Sequence, residues 1–115
     1  YEIAAPTTAF VVCGGNPIHG GGCQGGQTDY FGGPLDTRFL REVAYAATRL
    51  KREQANEIVK AILAKYEDRV REKNPPTGKK FQECNDLNTL KPTKEYLDLY
   101  YDVKKELAGL GLEFE

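Results

Sequence analysis

At 115 residues the chain has room for one domain at most, and its formal charge of −1 gives no electrostatic reason to expect nucleic acid or an anionic membrane as a partner. No stretch approaches the roughly 18 consecutive apolar residues of a membrane-spanning helix, and the start, YEIAAPTTA, lacks the basic and apolar regions of a secretory signal. Methionine is absent, position 1 included, so the chain reads as part of a longer one; three cysteines (Cys13, Cys23, Cys84) make no even disulfide framework and suggest reduced thiols in a cytoplasmic setting.

In chain order, TTAFVVC, Thr7 to Cys13, is short, β-branched and apolar, and predicts a buried strand. It feeds a loop, Gly14 to Gly33, that holds nine of the twelve glycines, the single histidine His19, and Cys23. Pro34 then leads into LDTRFLREVAYAATRL, an amphipathic helix from Leu35 to Leu50 with Asp36 as candidate N-cap and Leu40, Val43, Ala44, Ala47 and Leu50 at helical spacing. Strand, long glycine loop and helix is the order in which α/β proteins carry their sites.

A second helix is expected from about Arg52 to Glu72, with the stripe Ala55, Val59, Ile62, Leu63, Tyr66 and Val70; Asn74-Pro75-Pro76 ends it. Thr77 to Thr93 reads as a linker pinned by Phe81 and Leu87. Thr93 caps a third helix with Tyr96, Tyr100, Val103 and Leu107 on its apolar face and Gly109 at its C′ position. The tail alternates Leu110, Leu112 and Phe114 with Gly111 and Glu113, as an extended segment lying on another surface would. The boundaries are thus 1–33 for strand and loop, 34–73 for two helices, and 74–115 for linker, C-terminal helix and tail. One strand and three one-sided helices are expected to need more protein to pack against.

The string GKKFQEC, followed by Asp86, Thr89, PTKEY at Pro92 to Tyr96, Tyr100 and KKEL leading to LGLEF, resembles the carboxyl end of the monomethylamine methyltransferases. LDTRFLREVAYAATRL and the Glu-rich helix after it are similar to the same family, so the resemblance runs over roughly residues 34 to 114. It implies an α/β fold, the C-terminal end of a (β/α)8 TIM-type barrel, of which this chain is a mostly α portion. It implies a cytoplasmic enzyme of methylamine-dependent methanogenesis that uses pyrrolysine and passes the methyl group of monomethylamine to the cobalt of a corrinoid held by a partner protein. The pyrrolysine and the amine-contacting carboxylates of the family lie upstream of anything present here, so the resemblance implies no catalytic residue and no bound cofactor in this chain. The implied partners are the corrinoid protein, the remainder of the barrel and further copies in a homo-oligomer, with no nucleic acid and no membrane.

The candidate site residues lie in the glycine loop. If a barrel strand precedes it, Asn16, His19, Gln27 and Asp29 would form a polar rim facing substrate or partner at the barrel mouth, with turn chemistry as the competing explanation of the Asn and Asp. Cys13, His19 and Cys23, spaced C-x5-H-x3-C, carry zinc-compatible donors, but the spacing matches no zinc signature. A phosphate loop is disfavoured, since no lysine or arginine occurs between Tyr1 and Leu35 and neither glycine fingerprint is in register. The rival of the enzyme reading is a non-catalytic interaction module, or a zinc-binding glycine-rich loop protein.

Overall fold

The structure, a computed structural model, describes residues 1–16, 18 and 31–115. Among the described residues six helices follow one another: α1 (Ala4–Val12), α2 (Pro34–Ala47), α3 (Arg52–Leu63), α4 (Glu67–Val70), α5 (Phe81–Cys84) and α6 (Lys94–Gly109). Among the described residues there is no strand, only two isolated antiparallel bridges, Phe31 to Lys80 and Asn85 to Pro92.

The segment expected as a strand, Thr7 to Cys13, is therefore helical. Its β-branched residues disfavour a helix only weakly, and burial overrides that preference. Ala4, Ala5, Thr7 and Thr8 are buried, and their small side chains let α1 pack closely against both α2 and α3. Pro6 is tolerated because it falls in the first turn, where backbone N–H groups mostly lack helical partners anyway. Gly14 then ends the helix: at φ +82° it passes its N–H to Val11 O (2.9 Å), while Gly15 N–H reaches Phe10 O (2.8 Å). Those two bonds are the paired C-terminal closure in which glycine favours the left-handed position.

In α2, Leu35, Phe39, Leu40, Val43, Ala46 and Ala47 are buried. The N-cap is Gly33, and Asp36 sits three residues inside, reaching back to accept the Gly33 N–H at 2.7 Å. The long helix expected from 52 to 72 stops at Leu63 and resumes as the single turn α4. Ala55, Ile58 and Ile62 bury its first part, whereas Val70 is exposed. Without an apolar face to hold, the charged stretch after Lys65 lacks the packing that makes a helix stable in water. The linker is pinned by Cys84 and Asn85, both buried, with Phe81 half-buried; Leu87 is exposed, contrary to expectation.

Helix α6 begins as expected, with Thr93 Oγ1 accepting the Tyr96 N–H at 3.3 Å. Its end falls two residues later than the sequence suggested. Gly111, at φ +107°, takes the C′ position instead of Gly109, with Leu112 N–H bonding Leu107 O and Gly111 N–H bonding Ala108 O, both at 3.0 Å. Leu107 and Leu112, which this closure brings together, are both fully buried. The tail then lies on the body, where Phe114 stacks on Phe39 at 6.4 Å between ring centres.

The core joins Ala4 and Ala5 of α1, Phe39 and Val43 of α2, and Ile58 and Ile62 of α3 to Tyr100, Leu107 and Leu112. The helical stripes thus bury one another within the chain, and the expectation that they need outside protein to cover them does not hold for these faces.

Candidate functional site

Of the residues singled out in the sequence, Asn16 and Cys13 lie just beyond α1 and are exposed. His19, Cys23, Gln27 and Asp29 lie outside the described residues. With α1 a helix, the glycine segment leaves a helix C-terminus and not the strand end expected at a barrel mouth. No group of three or more His, Cys, Asp or Glu that could hold a metal occurs among the described residues.

The chemistry-bearing side chains that the fold does bring together are elsewhere. A groove of about 1000 Å³ opens between the first turn of α2, the segment 77–85, the N-terminal half of α6 and residues 1–3. On its wall the Asp36 carboxylate accepts the Gly33 N–H through one oxygen and the Tyr96 hydroxyl, at 3.0 Å, through the other. Nearby, Cys84 is buried; burial, reinforced by the Asp36 charge, pushes its thiol up from the ordinary range. That keeps it protonated near neutrality and makes it a poor nucleophile.

Behind the groove, α2 and α6 are tied by a second cluster. Glu42 accepts from Lys104 Nζ at 2.8 Å, from Arg38 Nε at 2.8 Å and from the Tyr100 hydroxyl. Burial pushes the Glu42 carboxyl up, but the hydrogen bonds from Lys104, Tyr100 and Arg38 together outweigh it and hold the group at about 2. Burial, and then the bond to Glu42, push the Tyr100 phenol well above its usual value. Lys104 also lies 4.9 Å from the Phe114 ring centre and 5.4 Å from that of Tyr100, so its charge is enclosed by two aromatic faces and a carboxylate.

Neither cluster pairs a nucleophile with a base. The charges satisfy one another, which is the work of positioning α6. Sequence spacing gave no hint of these pairs, because their members stand about sixty positions apart. Only the one-sided charge of α2 and the tyrosines of α6 were visible.

Comparison with known proteins bears on the whole chain. The family model described as monomethylamine methyltransferase MtmB matches residues 1–112. Over 80 residues the chain is 39% identical to monomethylamine methyltransferase MtmB1 of Methanosarcina acetivorans, and 36% identical to MtmB of Methanosarcina mazei. Those 80 residues are 70% of this chain and 17% of each relative. The crystal structure of the Methanosarcina barkeri monomethylamine methyltransferase superposes with a TM-score of 0.89 at 30% identity, covering 98% of this chain and 24% of that one. A crystal structure of a hydroxylamine complex of MtmB gives the same values. The chain thus spans about a quarter of the solved relative, and the part it matches is the C-terminal portion. The family match begins at residue 1, ahead of the stretch where residue identities alone carried the likeness, and the chain belongs to the monomethylamine methyltransferase MtmB family.

Proposed function

We propose that this chain is the C-terminal segment of a longer protein that moves the methyl group of monomethylamine to a corrinoid protein. In this reading the parent is a (β/α)8 barrel enzyme of methylamine-dependent methanogenesis, cytoplasmic and homo-oligomeric. The reacting centre, pyrrolysine included, belongs to the remainder of the polypeptide, and the corrinoid belongs to the partner. The observation that carries the reading is the family match over residues 1–112, together with a fold that, over 98% of this chain, follows about a quarter of a solved family member. The internal cross-links, Asp36 to Tyr96 and Glu42 to Lys104, suit a helical element that supports the enzyme without taking part in bond breaking.

In this reading the chain meets the corrinoid protein through surface polar groups. Asn16 is exposed and open to such contact; His19, Gln27 and Asp29 complete the partner-facing set in this proposal. The test is methylation of a cobalt(I) corrinoid protein from monomethylamine, followed by the loss of the cobalt(I) spectrum. The complete polypeptide is expected to turn over and the 115-residue chain to be inert; turnover by the short chain alone would overturn the assignment of the centre to the remainder. Within the complete protein, His19→Ala is expected to weaken coupling to the corrinoid protein by about 1 to 2 kcal/mol, read as a higher half-saturating corrinoid-protein concentration, with the dependence on amine unchanged.

A further inference from the structure

The groove beside Asp36 is a wide opening that the packing of the described residues leaves uncovered. Its floor is apolar, including Leu35, Phe39, Tyr96, Leu99 and Val103, and Leu99 is 56% exposed there although it sits in the middle of a core-facing helix. Its rim is acidic. Glu2, Asp36, Glu83, Glu95, Asp98 and Asp102 line it, against two lysines, Lys79 and Lys94. Both lysines are already engaged, Lys79 with Glu95 at 2.6 Å and Lys94 with Asp98. The remaining carboxylates leave a negative field around an apolar trough.

We propose that this groove receives a helix of the same longer polypeptide, apolar on the face it buries and carrying lysine or arginine at its edges. Three observations select that occupant. A helix about 10 Å across and two turns, about 11 Å, long occupies roughly 850 Å³, and the groove holds about 1000 Å³. The rim charge favours a basic partner segment over an acidic or neutral one. About three quarters of the solved relative lies outside the length this chain spans, so a covalently linked source is at hand. Linkage also lowers the association cost, because a tethered segment meets its groove at high effective concentration. The inference rests on the proposed function only in requiring the longer polypeptide, and it needs none of that reading's chemistry.

The test places a thiol on the floor by Leu99→Cys and follows its labelling with a maleimide, read by peptide mass spectrometry, in the complete polypeptide and in the 115-residue chain. Labelling at position 99 is expected to be at least ten times slower in the complete protein, and adding Asp102→Lys there is expected to recover most of the lost rate. Equal rates in the two proteins overturn the proposal. Protection that disappears on dilution, or that the short chain shows at high concentration, overturns it in favour of a second copy as the occupant. Protection indifferent to Asp102→Lys overturns the basic character of the segment. A complete protein that protects the thiol yet transfers no methyl group leaves the groove assignment standing and refutes the functional reading alone.

Discussion

Glu42 shows how one carboxylate can fasten two helices. It is held at about 2 by Lys104, Tyr100 and Arg38, whereas in the unfolded chain it takes the ordinary value of 4.5. A depressed carboxyl adds stability that is complete above the unfolded value and lost as pH falls toward the folded one. Melting temperature is therefore expected to fall between about pH 4.5 and pH 2, and Glu42→Gln to flatten that part of the profile. At neutral pH the same substitution should cost about 1 to 3 kcal/mol in urea unfolding, because Lys104, only 15% exposed, loses its counter-charge. Thr8 makes the opposite case. Its hydroxyl is buried with no hydrogen-bond partner among the described residues, so Thr8→Val is expected to raise stability by about 1 kcal/mol. A loss measured in the same urea titration would mean that the hydroxyl is satisfied after all.

At the scale of elements, the sequence was most legible where apolar spacing is long and one-sided, as in α2, in α3 and in α6 with its Thr93 cap. It was least legible in α1. TTAFVVC has the composition of a strand, yet the pair Gly14-Gly15 directly after it is also a helix stop signal, and Ala4, Ala5 and Thr8 share the buried face of a helix. The β-branched count hid both cues. The candidate site was less legible still, because Asp36 to Tyr96 and Glu42 to Lys104 exist only through packing, and a single sequence carries no spacing rule for them. Helix ends give the sharpest test at this scale. Gly111→Ala forces a Cβ onto a residue at φ +107° and within 3.5 Å of Ile58 Cδ1, with an expected cost of about 1 to 2 kcal/mol. Leu112→Ala empties a fully buried position and should cost about 2 to 5 kcal/mol. If the tail merely drapes over the surface, both variants will unfold at the same urea concentration as the parent chain.

For the molecule as a whole, two kinds of contact do different work. α1 meets α2 and α3 through small side chains at close range, while α6 stands off and is held by long ones, Tyr100 edge-on to Phe39 at 6.1 Å and Lys104 reaching Glu42. The groove opens beside the first of these pairs, with Phe39 and Tyr100 among its lining. Because the helices share one core, the 115-residue chain is expected to unfold in a single cooperative urea transition, with near-ultraviolet circular dichroism from its fixed tyrosines lost in the same step. Non-coincident transitions by the two probes would indicate that the core needs the remainder of the polypeptide.

The hydroxyl of Tyr1 donates to Glu106, and Lys65 reaches the same carboxylate at 3.4 Å while lying 5.3 Å from the Tyr1 ring centre. The partners Tyr1 and Glu106 are 105 positions apart, so closing that loop costs about 4 kcal/mol from its length alone. During synthesis the entry to α1 must therefore wait, unsecured, until α6 has left the ribosome. Helix α1 can pack on α2 and α3 before that, so it is the residues leading into it that are fastened last, and a chain truncated before Glu106 should emerge with those residues open to proteases.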